Sequence, residues 1–264
     1  MRREFEAEKA ETPCSLKEIY QSFVVDEPML ATIMAAKPKV VSFHFGLPPA
    51  DWICALRAAG IVLLATATNP AEAKVGAAAG VQVIIAQGYE AGGHRGVFDP
   101  NGPDDQLGTF ALTRLLARNL DVPEIAAGGI MDGRGIAAAL RLGAGAAQLG
   151  TAFVATDESA ADAGYRAALF SDAASHTVMT RAISGRPARC LANRFTALAA
   201  GVRPDEISSY PIAHDAGKSL NIAAKAAGEW GYGAQWAAQG APLARSLPAG
   251  RLVAALVDEL TAEA

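Results

Sequence analysis

Cysteine is scarce, with three residues, Cys14, Cys54 and Cys190, in a chain of 264. An odd, widely spaced set supports neither a disulfide framework nor a zinc ligand set, so these read as the reduced thiols of a cytoplasmic protein. No His-x-x-x-His or Cys-x-x-Cys pair occurs, and metal catalysis is disfavoured accordingly. The P-loop is missing too, and the Gly-rich runs lack GxGxxG followed by a distal acid, which argues against nucleotide hydrolysis and Rossmann-type NAD binding. Nothing approaches the roughly 20 apolar residues needed to span a bilayer. The opening segment, MRREFEAEKAETP, mixes acids with bases around no apolar core, so it does not read as a secretory signal. Lysine and arginine form no cluster and the net charge is -4, which leaves no electrostatic footprint for a phosphate backbone. The expected partner is a small molecule, with no nucleic acid and no membrane.

What is present is a globular composition, 51% hydrophobic and 19% charged. The length suits one large domain, and a (β/α)8 barrel typically needs about 250 residues. Short β-branched runs alternate with alanine-rich stretches through the first half, the pattern of parallel βα units. Strands are expected at 39–45, 61–66, 81–87, 124–127 and 146–149, each ending in a turn of small residues. Helices are expected at 49–59, 70–79, 107–119 and 133–142. The second of these has Asn69 as its N-cap, Pro70 at its first position and Gly80 beyond its end. After Thr151 the stretches 158–173, 188–200, 212–228 and 252–262 read as helical. Trp230 and Trp236 in that region pack in a core or form part of a lid.

Two groups of residues carry the chemistry. Gln87 to Gly96 (QGYEAGGHRG) leaves the third strand in a glycine-rich loop around His94, and imidazole is the side-chain type suited to proton transfer near neutral pH. This reads as a proton-transfer or anion-stabilising group, the plainer alternative being a glycine-rich surface loop with an incidental histidine. Gly128-Gly129 and Gln148-Leu149-Gly150-Thr151 end the last two strands with bare backbone amides, a pattern suited to a phosphate group. In (β/α)8 barrels that site is commonly built after strands 7 and 8, which numbers the five visible strands 4 to 8. The alternative is that these glycines only permit tight turns. His44 ends the first strand and either lines a pocket or is a hydrogen-bonded core residue. No lysine stands at a strand end to form a Schiff base, which weakens a phosphosugar isomerase or synthase reading.

The succession VVSFHFGLP, ATATNPAEA, AQGYEAGGHRG, IAAGGIMDGRG and QLGTAFVATDES, followed by TRAISGRPARCLANRF and WAAQG, resembles the bacterial nitronate monooxygenases in order and spacing from about Pro38 onward. The resemblance implies an α/β fold of TIM-barrel type and an FMN enzyme that oxidises alkyl nitronates, of the propionate 3-nitronate kind, with O2 to a carbonyl compound and nitrite. Carried over by position, Gln87 and Gly92 contact the flavin, while Gly128, Gly129 and the segment Gln148, Leu149, Gly150, Thr151 hold its phosphate end. His94 falls on the active-site histidine, and His44 is a second polar group near the substrate. No metal is implied.

The family's first three strands, the first ending in Gln-Ala-Pro-Met, have no counterpart here, so only strands 4 to 8 are expected. Residues 1–37 then form an N-terminal helical segment, 38–156 a partial flavin-binding barrel, and 157–264 a helical extension packing on the barrel and covering the site. Either the sequence starts inside a longer frame, or the N-terminal helix or a homo-oligomer covers the exposed sheet edges. A related NAD(P)H-dependent flavin reductase and a truncated non-catalytic paralogue are the competing functional readings.

Overall fold

Five short apolar runs separated by helices build one parallel sheet in the computed structural model, which describes residues 15–263. Its strands are β1 (Val40–Phe43), β2 (Val62–Ala67), β3 (Val83–Gln87), β5 (Glu124–Ala127) and β6 (Ala146–Gln148). They lie in the order β1-β2-β3-β5-β6, so β1 and β6 are the outer strands. Helices Ala50–Ala58, Pro70–Ala78, Thr109–Asn119 and Gly133–Leu142 follow the first four strands in turn. This is the expected array with ends shifted by at most two residues, and the fold is α/β of TIM-barrel type. Asn69 caps its helix as anticipated, its side chain accepting from the Glu72 amide, and Asp132 does the same for Gly135.

Two compact units make up the described chain. The first comprises residues 21–91, 95–150 and 250–263, and it contains the parallel sheet. Leu63, Ala65, Ile84 and Ala86 are buried against Ile53, Leu56, Leu112 and Leu116 of the helices. Each fully buried Leu or Ile contributes about 1.5–3 kcal/mol over leaving it exposed. Because successive side chains alternate across a strand, the opposite face presents Val40 and Val62, 50% and 37% exposed. Phe23 and the helix Glu27–Ala36, from the segment expected to be helical, pack on this unit through contacts such as Phe23 on Phe43 and Trp52. The remainder of that segment to residue 14, with Cys14, lies outside the described residues. Cys54 and Cys190 are both free thiols.

The second unit comprises residues 15–20, 92–94 and 151–249. It was expected to be helical, and helices Ala163–Leu169, Arg194–Leu198 and Ile212–Ala226 are there. A three-stranded antiparallel sheet accompanies them, formed by β4 (Gly93–His94), β7 (Thr177–Thr180) and β8 (Ala188–Leu191) in the order β4-β8-β7. Residues 188–191 were read as the start of a helix and are instead its central strand. Alanine, arginine and leucine are good helix formers, but pairing to a strand on each side buries all four residues of β8 and overrides that preference. Among the described residues no helix is long and apolar enough to cross a membrane.

Glu124, at the start of β5, is 3% exposed, and neither carboxylate oxygen has a hydrogen-bond partner among the described residues. Burial pushes its carboxyl up to about 7; the Ala117 backbone offsets part of that without meeting hydrogen-bond geometry. A carboxyl raised on folding is protonated in the native state, so its contribution is full below the unfolded value near 4.5 and is lost as pH rises through 7. At about 1.4 kcal/mol per unit, the loss is roughly 3 kcal/mol. Urea unfolding at pH 5 and pH 8 is expected to show this fall, and Glu124→Gln to flatten it. A wild-type stability that does not drop over that interval would contradict the assignment.

Candidate active site

At the carboxyl end of the parallel sheet, the registry aligns Gln87 of β3 with Ala127 of β5, and Ala127 with Gln148 of β6. The three therefore share one face and one row. Gln87 is buried, and its Oε1 accepts a 2.8 Å hydrogen bond from the Gly96 amide, so Nε2 is the donor end of the side chain. His44 stands two residues beyond Ser42, on that same face, where its Nδ1 lies 3.0 Å from Thr66 Oγ1. A Cβ on Gly96 would come within 2.6 Å of the Thr66 methyl and 2.8 Å of His44 Cε1, so the backbone passes against these side chains only because residue 96 is glycine.

Arg95 holds this loop in place. Only 2% exposed, it donates to the carbonyls of Gln87 and Thr68 and, through Nε and Nη2, to both oxygens of Asp104 at 2.9 Å. Burial alone would raise the Asp104 carboxyl, but the hydrogen bonds from Arg95 and from the Gln106 amide, with the Arg95 charge, bring it below its ordinary value. Beyond β5 the chain turns through Gly128 and Gly129, both with left-handed φ. Thr109 bridges Glu90 and the Gly128 carbonyl by its hydroxyl, and its amide donates to Glu90. A side chain at Gly150 would meet nothing within 4 Å, so that strand end is open.

His94 belongs to the second unit. It lies on β4, where Gly93 pairs with Arg189 and His94 with Ala188. Its Nε2 is 2.8 Å from Ser184 Oγ, and its ring stands 5.1 Å from Trp236, 5.5 Å from Tyr210 and 6.3 Å from His214 by centroids. Burial, aided by the charge of Lys218, lowers the His214 pKa and favours its neutral form, while burial raises that of Tyr210. Lys218 itself donates to the Tyr20 hydroxyl. The two tryptophans differ: Trp236 packs on His94, whereas Trp230 is 40% exposed and faces Lys225. A Cβ on Gly92 would fall 2.5 Å from the Ala238 amide nitrogen, so glycine there is a packing requirement of this unit.

The anticipated residues thus fall into two sets. Gln87, Gln148 and His44 share one sheet face of the first unit, and Gly128, Gly129, Leu149 and Gly150 follow its strands. His94, Gly92 and Thr151 belong to the second unit, where Thr151 Oγ1 accepts from the Ala238 amide at 3.0 Å. Sequence reasoning missed Arg95, Asp104, Ser184 and Tyr210. An arginine inside a glycine-rich loop with an aspartate nine residues on was the one signal that could have pointed to the ion pair. Among the described residues no group of three or more His, Cys, Asp or Glu side chains is placed to hold a metal ion.

Comparison with known proteins adds three findings. A family model described as nitronate monooxygenase matches residues 4–259. A protein of Paraburkholderia phytofirmans named nitronate monooxygenase is 64% identical over 97% of this chain and 70% of its own length; a Pseudomonas aeruginosa protein of the same name is 53% identical over 95% and 72%. Among solved structures, the nitroalkane oxidase from Streptomyces ansochromogenes superimposes with a TM-score of 0.91 at 42% identity, covering 99% of this chain and 74% of that one. FabK from Thermotoga maritima superimposes with a TM-score of 0.72 at 29% identity, over 89% and 72%.

Proposed function

The chain belongs to the nitronate monooxygenase family, and from that premise we propose that it oxidises alkyl nitronates of the propionate 3-nitronate type with O2, giving a carbonyl compound and nitrite, with FMN as cofactor. The observation that carries the reading is His94, a hydrogen-bonded imidazole set against the rings of Tyr210, Trp236 and His214. Protonated, that imidazole stabilises an anionic nitronate; neutral, it takes the α-proton of a nitroalkane. His44, with its ring tied to Thr66, is proposed as a second polar contact for substrate.

The residues present fit FMN. Gln87 offers an oriented side-chain amide, its Oε1 taken by the Gly96 amide and its Nε2 the donor end. Gly128 and Gly129 turn with left-handed φ after β5, and Gly150 faces open space after β6, so these two strand ends offer bare backbone to a phosphate. FMN, when bound, supplies the redox chemistry. The protein's share is to hold the cofactor, orient the substrate carbon and manage one proton at His94. A cytoplasmic location accompanies this reading, resting on the free thiols Cys54 and Cys190.

The test is incubation of the purified chain with FMN, gel filtration, a visible spectrum, and a nitrite assay with propionate 3-nitronate. Retained flavin bands with nitrite release are expected. Flavin retained with rapid NAD(P)H oxidation and no nitrite would replace the monooxygenase by a reductase. No retained flavin would leave this chain a non-catalytic relative.

A further inference from the structure

Ser184 lies in the turn between β7 and β8, and it is fully buried. A serine hydroxyl has one proton and two lone pairs, which limits what it can do at once. Its Oγ has three neighbours: His94 Nε2 at 2.8 Å, the Arg186 carbonyl oxygen at 3.3 Å and the Arg186 amide nitrogen at 3.4 Å. A carbonyl oxygen can only accept, so the hydroxyl proton goes to Arg186, and the lone pairs receive the Arg186 N–H and His94 Nε2. With the hydroxyl proton so placed, the nitrogen facing Ser184 is the one that carries a hydrogen.

Both ends of this hydrogen bond are mounted on the same small sheet. His94 sits on β4 and pairs with Ala188 of β8, while the Ser184 turn closes through hydrogen bonds from the Ser184 and Gly185 amides to the Arg181 carbonyl. The rings of Trp236 and Tyr210 pack on the imidazole and oppose the flip that would exchange its two nitrogens. From this geometry we propose that Ser184 is a positioning residue that holds neutral His94 in the Nε2–H tautomer, so that Nδ1 is the proton-accepting nitrogen of the ring. The proposal rests on the role given to His94 above. Ser184 touches neither substrate nor cofactor in this account, and acts through the histidine alone.

The tautomer can be read without turnover. The full chain, labelled with 15N-histidine, is examined by two-bond 15N–1H correlation at a pH where the ring is neutral, with and without FMN, and His94 is assigned by loss of its signals in His94→Gln. The wild type is expected to show a protonated Nε2 and an unprotonated Nδ1. Ser184→Ala is expected to move both nitrogens toward the averaged shifts of a free imidazole. It should also lower kcat about tenfold with KM unmoved, a fraction of the ~10²–10⁴ that a positioned acid–base group supplies. A wild-type His94 with its proton on Nδ1, or shifts unchanged in Ser184→Ala, overturns the proposal. Should that variant fail to fold, the wild-type spectrum still decides. If instead His94→Gln retains full turnover, the proposed role of His94 fails, whichever tautomer the spectrum reports.

Discussion

Replacing His94 by glutamine is expected to lower nitronate turnover by about 10²–10⁴, the usual contribution of a positioned acid–base side chain. Glutamine keeps a hydrogen-bonding group of similar reach toward Ser184 but cannot carry an exchangeable proton near neutral pH or become a cation. The loss should therefore fall on kcat. The backbone of residue 94 is held by pairing to Ala188, and its neighbours Trp236 and Tyr210 remain, so the unfolding midpoint should change little. Steady-state nitrite release, with retained flavin and urea unfolding measured on the same preparation, checks all three. Turnover within about threefold of wild type would remove His94 from the chemistry and with it the main support for the proposed reaction.

Asp104→Ala is expected to destabilise the chain by about 3–5 kcal/mol, because removing one member of a buried ion pair leaves the other as an uncompensated charge. Arg95 has a side chain 1% exposed and Asp104 one that is 24% exposed, so the stranded charge is the deeply buried one. Its remaining contacts, the carbonyls of Gln87 and Thr68 and the face of Tyr89, are neutral. Restoring apolar character by Arg95→Met in the Asp104→Ala background should recover part of the loss, since an ion pair replaced by packed apolar atoms can be nearly neutral in stability. Flavin retention gives a second readout, because the loop that Arg95 anchors also carries the Gly96 amide that orients Gln87. Urea midpoints for the single and double variants decide the matter; an Asp104→Ala chain as stable as wild type would show that the pair does not hold the loop.

Of the fold, the parallel array was readable because its signals are local. Val62–Ala67 and Val83–Gln87 are short apolar runs bounded by Gly60, Gly80 and Gly88, and Asn69-Pro70 announces a helix whose cap is made within four residues. The small sheet of the second unit was not readable. Its β8 has the composition of a helix and becomes a strand by pairing with β7 on one side and with Gly93 and His94, far earlier in the chain, on the other. Of the candidate site, the glycines and His94 were visible because a glycine-rich loop at a strand end limits what the backbone can do, and His94 was the only histidine flanked by such a run.

What the sequence by itself determined is therefore the set of βα units, the strand ends that offer bare backbone, the choice of His94, and the family to which these motifs point. Tertiary structure alone decided the partners of those residues: Ser184 for His94, Asp104 for Arg95, Thr66 for His44 and the Ala238 amide for Thr151. Propensity and spacing act over a few residues along the chain. Hydrogen-bond partners are chosen by distance in space, and that distance does not exist until the chain has folded.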